Sequence, residues 1–212
     1  MSIENLEVEP AESEVILGDR LPLAREFTRN LATHGEELGL IGPLELPRLW
    51  SRHVLNSALV APLLRPGLVG DIGSGAGLPG LVLGIARPDV DFVLIEPMER
   101  RVAWLKDQVS ELGLKNVTVI RARAEEVSLP DPLDQVTARA VSAFRKLLPW
   151  TAPLLRNGGE LVLMKGINAE AEVAAATKEI RRFKVSDIRV DVLGEGITPE
   201  VTRVVRGFVR AS

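Results

Sequence analysis

The chain has 212 residues, is 46% hydrophobic and carries a net charge of −3. That supplies the core of one substantial domain and excludes a polycation, so any nucleic-acid contact must come from local basic patches. No cysteine is present, which excludes disulfides, thiolate metal sites and a cysteine nucleophile, and no apolar run reaches membrane-spanning length. The first fifteen residues, MSIENLEVEPAESEV, hold five Glu and neither Lys nor Arg. They lack the basic start and apolar stretch of a signal peptide, and residues 1–18 are expected to be a flexible acidic tail. Residues 20–39 are predicted as an amphipathic helix, with Leu23, Phe27, Leu31 and Leu38 near helical spacing. Residues 46–61 are predicted as a second, with Leu49, Trp50, Val54, Leu55 and Leu59 on one side and Pro62 and Pro66-Gly67 at its exit.

Strand and helix patterns alternate from there on. Strands are predicted at 68–72, 91–96, 116–121, 134–138, 159–165, 184–192 and 201–210, and helices at 77–86, 98–113, 143–156 and 169–182. This order implies right-handed crossovers and a mostly parallel sheet. Gly194-Glu-Gly196-Ile-Thr-Pro199 joins the last two strands without a helix, so the final strand should run antiparallel. The chain divides into the tail, a helical cap over 19–66, and an α/β body over 67–212.

The stretch Leu68-Val-Gly-Asp71-Ile-Gly73-Ser-Gly75-Ala-Gly77-Leu-Pro-Gly80 places four glycines within eight residues after an apolar strand. Such a loop turns tightly and lets the backbone approach a ligand. Its spacing also satisfies the nicotinamide fingerprint. Asp71 argues for S-adenosylmethionine (SAM) instead: a carboxylate suits an ammonium and opposes a pyrophosphate. Glu96 ends the next predicted strand and suits the two ribose hydroxyls of an adenosine, a contact that either cofactor makes. Arg123-Ala124-Glu125-Glu126 follows the third strand and offers an amide and a carboxylate to an adenine edge. Little chain remains for a dehydrogenase's catalytic domain, and both His precede the glycine loop.

Absences narrow the methyl acceptor. Methylation at pyrimidine C5 generally calls for a cysteine to attack the ring. Amine methylation is often marked by Asp/Asn-Pro-Pro-Tyr/Phe, where this chain has Thr137-Ala-Arg139-Ala-Val-Ser, and tyrosine is absent. An atom with an exposed lone pair, such as guanine N7, needs no base. In-line alignment alone can then supply up to about 7–11 kcal/mol.

Four segments together resemble the RsmG (GidB) family of small-subunit ribosomal RNA methyltransferases. They are Trp50-Ser-Arg52-His53-Val-Leu-Asn56-Ser57, the glycine motif Asp71 to Gly80, Thr137-Ala-Arg139-Ala140-Val-Ser and Leu163-Met-Lys165-Gly166. The resemblance covers most of 20–210. It implies a Rossmann-like class I SAM-dependent fold and methylation of N7 of guanine 527 in the 530 loop of 16S rRNA. Carried over by motif, cofactor contacts fall on Gly73, Leu78, Ala124, Glu125 and Arg139, beside Asp71, Gly75 and Glu96 from the residue chemistry above. Arg139 is placed between cofactor and substrate as the residue that positions both, with no general base. One departure is Asn56, where the family often has Asp.

Arg139, Arg145, Lys146, Arg156 and Lys165 face a single acid, Glu160, over 139–165. Arg139 and Lys165 should sit at the carboxyl edge of the sheet, where open α/β folds bind ligands. With Arg52 and His53 from the cap they are candidate RNA contacts, and Phe144 is the candidate for stacking on a base. The three Trp read as core. A cytoplasmic monomer acting on the small ribosomal subunit or its precursor is expected, without metal or membrane. An NAD-linked oxidoreductase and a non-catalytic SAM-binding assembly module remain as alternatives.

Overall fold

The computed structural model describes residues 5–139 and 141–210. Seven strands form one sheet: β1 (Leu68–Ile72), β2 (Asp91–Ile95), β3 (Val117–Ile120), β4 (Leu133–Arg139), β5 (Leu155–Lys165), β6 (Val185–Leu193) and β7 (Thr202–Val209). Their order is β3-β2-β1-β4-β5-β7-β6. β1 to β5 pair in parallel, while β7 runs antiparallel between β5 and β6. Each predicted strand is present, and the antiparallel last strand is as expected. β1 and β2 are nearly continuous apolar runs because helices cover both sheet faces.

The helices are α1 (Glu12–Leu17), α2 (Leu21–His34), α3 (Asn56–Ala58), α4 (Gly80–Ala86), α5 (Glu99–Glu111), α6 (Phe144–Thr151), α7 (Ala169–Ala174) and α8 (Thr177–Arg182). α4 and α5 make the crossovers around β2. The chain then leaves β3 at one edge and returns to β4 beside β1. The strand order therefore reverses between β1 and β4, and the crevice outside their carboxyl ends is where such folds bind ligands.

Three expectations change in the N-terminal part. The tail is built into the fold over 12–17: α1 buries Ser13 and Leu17, and only residues 1–4 of that stretch lie outside the described residues. α2 buries Leu21, Ala24, Phe27, Thr28 and Leu31, a stripe displaced from the expected one, with Leu23 only partly covered. The predicted helix at 46–61 is broken into a 3-10 turn (Leu46–Arg48), a π-helix (Leu49–Leu55), α3 and a further 3-10 turn (Ala61–Leu63). The π segment has a visible cause. Ser57 Oγ donates to the carbonyl of His53 at 2.7 Å, and Arg139 donates to the carbonyls of Arg52 and His53 at 3.1 and 3.3 Å. Side-chain donors inserted at these carbonyls displace the regular ladder.

The cap is not a separate unit. Leu21, Phe27, Leu31, Trp50 and Leu55 share one buried cluster with Leu81, Leu83, Phe92, Trp104 and Leu105 of the α/β body. Cap and body should therefore unfold together. Phe27 is fully buried, so Phe27→Ala should cost about 3–5 kcal/mol. Urea titration followed by both tryptophan fluorescence and far-UV circular dichroism should show one coincident transition, shifted to lower denaturant.

Candidate functional site

The site grows from the end of β1. Asp71 and Thr137 are register partners on β1 and β4, so their side chains share a face of the sheet. Thr137 Oγ1 donates to Asp71 Oδ1 at 3.0 Å, and the backbone N–H of Gly80 donates to Oδ2 at 3.1 Å. A Cβ on Gly80 would stand 2.5 Å from that carboxylate. The acid is wholly buried and ties the start of α4 to β1 and β4. Burial pushes its carboxyl up to about 6, with nearby Glu96 adding to the shift and the bonds from Ser74, Thr137 and Gly80 opposing it. Against the sequence expectation of a ligand contact, Asp71 is not among the residues that line the cavity over the glycine loop; its carboxylate is engaged behind that loop.

The loop beyond it is shaped by Gly73, Gly75 and Gly77, all at positive φ (69°, 55° and 93°). Its outer side is fixed by two further bonds. Glu96, 2% exposed at the end of β2, accepts the N–H of Gly75 through Oε2 and that of Met98 through Oε1, each at 2.9 Å. Trp104 Nε1 on α5 donates to the carbonyl of Ala76 at 3.0 Å. The loop is thus held in shape by the protein itself.

A cavity of about 610 Å³ opens over these groups. Its walls include Gly73, Gly75, Leu78, Glu96, Ala124, Glu125 and Arg139, as expected from the sequence, and also His53. The sequence reading missed Leu40, Ile41, Gly42 and Glu45, which close one side, and Met98, Arg101 and Trp150. Arg101 carried a usable signal: it sits five residues after Glu96, in the first turns of the helix that leaves the same strand end. Its Nε is buried, with no hydrogen-bond partner among the described residues.

A second cavity of about 710 Å³ adjoins the first and shares Arg139 with it. It is walled by Arg52, Arg139, Lys165 and Arg203 against Glu172 and Glu200, with Asn56 at its side. Asn56 is 8% exposed, and its Oδ1 has no hydrogen-bond partner among the described residues. Lys165 lies here as expected, but it is tied to Glu172 at 2.7 Å and to the carbonyl of Ser142 at 2.6 Å. Arg52 pairs with Glu200 at 3.4 Å. Phe144 is a correction. Its ring is fully buried in the core beneath α6, so it has no face to offer a base. Its contribution is its backbone N–H, which donates to Glu172 at 2.7 Å.

Arg139 ends β4 and is half-buried between the cavities. Besides the two carbonyls of the π-helix, it reaches Ser57 Oγ at 3.4 Å and Nδ1 of His53 at 2.8 Å. Burial, and then the charge of Arg52, push the guanidinium down to about 10, while Glu45 and Glu200 work the other way. It remains a cation at neutral pH.

Residues 20–201 match the family model described as rRNA small subunit methyltransferase G (GidB). The chain belongs to this family. It is 72% identical to the ribosomal RNA small subunit methyltransferase G of Leifsonia xyli, covering 98% of this chain and 99% of that one. Against its counterpart in Clavibacter michiganensis it is 70% identical, covering 96% and 97%. Among solved structures, TYW2 of M. jannaschii in complex with AdoMet superposes with a TM-score of 0.61 at 21% identity, over 77% of this chain and 78% of that one. The fold of this GidB-family chain is accordingly that of the class I SAM-dependent methyltransferases.

The buried Asp71 predicts a pH signature. The folded chain holds this proton up to about 6, against 3.8 for the free group. Between those values the folded state binds more protons than the unfolded one, so the contribution of Asp71 to stability falls as pH rises through that window and is flat above it. Urea unfolding from pH 4 to 8 should show this component in the wild type, and Asp71→Asn should remove it.

Proposed function

We propose that the chain transfers a methyl group from SAM to N7 of guanine 527, in the 530 loop of 16S rRNA on the small ribosomal subunit or its precursor. The observation that carries the reading is the meeting of two cavities at Arg139 in a chain of the rRNA small subunit methyltransferase G family.

The first cavity fits the cofactor. Each Glu96 oxygen already accepts one backbone N–H and keeps a second lone pair for a ribose hydroxyl. Ile72, Ile95 and Ala124 give apolar surface for an adenine, and Glu125 lies beside them. Gly73 and Gly75 bring bare backbone to the cavity edge. When bound, the cofactor supplies a methyl group on a sulfonium, already activated for transfer. What the protein must add is alignment.

The second cavity fits the acceptor. Four cationic side chains against two carboxylates make its wall net positive, which suits the phosphates around an extruded nucleotide. Glu172 and Glu200 are both paired with cations, which suits an acceptor atom with no proton to lose. Arg139 stands in both walls and sets the two reactants against each other. Residues of a single chain line both cavities; the reading is of a monomer, and the substrate supports action in the cytoplasm. Neither hydride transfer nor a non-catalytic role gains support from the family or from the two cavities.

Incubating the protein with labelled SAM and small subunits or 16S rRNA, then mapping 7-methylguanine, tests cofactor, reaction and position together. One modified guanine in the 530 loop is expected; transfer to another atom or another RNA would refute the assignment. Gly73 tests the cofactor cavity. A β-branched side chain there must adopt φ of +69° with its Cβ 2.9 Å from Val141 Cγ2. Gly73→Val should weaken SAM binding about 100-fold or more, as read by calorimetry, while far-UV circular dichroism is retained.

A further inference from the structure

A guanidinium has only donors to offer. Because Nη2 of Arg139 lies 2.8 Å from Nδ1 of His53, Nδ1 must be bare and the ring proton belongs on Nε2. The other side of the ring agrees. Nε2 lies 2.5 Å from Oε2 of Glu45, a carboxylate able to accept that proton's hydrogen bond. Glu45 is itself gripped by Arg48 through two bonds, at 3.0 and 2.6 Å. One neutral tautomer of His53 is therefore specified from both ends.

The three side chains also connect two places. Glu45 lies in the segment 40–45 that closes one side of the first cavity, and Arg139 walls both cavities. We propose that His53 is a positioning residue for methyl transfer: with Glu45 holding the ring proton on Nε2, the neutral imidazole keeps a bare Nδ1 for Arg139, and so fixes the guanidinium between donor and acceptor. This rests on the reading of the two cavities given above. It differs from the RNA contact expected from the sequence. The His53 side chain is 13% exposed, both of its nitrogens are engaged, and it does not line the second cavity.

The charged groups facing the ring are Arg139 from β4, Glu45 from the preceding turn and Arg52 from its own π-helix. Burial and then the charge of Arg139 hold the imidazole below its ordinary value, against the pull of Glu45. The ring is accordingly neutral at and above pH 7.

Two variants separate this role from simple packing. His53→Asn keeps an acceptor where Nδ1 stands and gives up Glu45. His53→Gln reaches toward Glu45 and gives up the acceptor. In methyl transfer to small-subunit RNA, kcat should fall about 100-fold in His53→Gln and only a few-fold in His53→Asn, with the SAM Kd changed by less than about twofold in both. Equal losses, no loss, or a loss confined to SAM affinity would overturn the proposal. A second readout does not depend on catalysis. Nitrogen NMR of the wild-type imidazoles near pH 7.5, with His34→Gln to assign the two rings, should show His53 as the neutral Nε2–H form. Its Nδ1 resonance should move in Arg139→Gln. A proton on Nδ1, or an unmoved resonance, would sink the link. Should the wild type methylate no RNA, the functional reading falls, and the tautomer measurement still decides whether His53 holds Arg139.

Discussion

The seat of Arg139 is the constraint on which the site depends. A guanidinium taken out of water must recover its hydrogen bonds or be very costly. Here the strand end supplies the charge, and the N-terminal cap supplies the acceptors: two carbonyls, a hydroxyl and an imidazole nitrogen. Donation from Arg139 and Ser57 to those carbonyls goes with the π-helical winding of residues Leu49–Leu55. The same contacts therefore distort the cap and dock it on the sheet edge. They also leave Arg139 as the shared wall of the two cavities, so the cap is part of the site as well as part of the core.

Two buried carboxylates do complementary work around the glycine loop. Asp71 holds the loop from behind, through α4 and β4. Glu96 holds it from the front, through the amides of Gly75 and Met98, and keeps lone pairs toward the cavity. Glu96 accepts the N–H of Gly75, one of the positive-φ glycines, and Asp71 that of Gly80 at the start of α4. The loop is organised before any ligand arrives, so ligand binding need not supply its ordering entropy.

The parts legible in the sequence were those with a local cause. Strand positions follow from short apolar runs, and the loop from glycines that only a tight turn explains. Gly194 to Pro199 marked the hairpin that turns β7 antiparallel. Where the cause is distant, the sequence was mute or misleading. The break in the helix predicted at 46–61 comes from Arg139, more than eighty residues away. Asp71 looked like a ligand contact because its register with Thr137 is invisible in one strand alone. Phe144 looked like a stacking residue near a loop, yet at the start of α6 its ring points into the core. The wall formed by 40–45 has no motif of its own, since its place is fixed by Glu45 meeting His53 and Arg48. Ala140, within the Arg-Ala segment used for the resemblance, lies outside the described residues.

The charge balance at Arg139 bears on the reaction itself. Methylation at N7 leaves a positive charge on the base, and a guanidinium beside it works against that charge. The charges acting most on Arg139 are Arg52 on one side and Glu45 and Glu200 on the other. With His53 neutral, Glu45 and Glu200 offset the charge of Arg52 at Arg139. A protonated His53 would tip that balance toward repulsion and strip Arg139 of an acceptor at the same time. The pairing of His53 with Glu45 thus serves geometry and electrostatics together. In a reaction that needs no base, these are the two means by which the protein can lower the barrier.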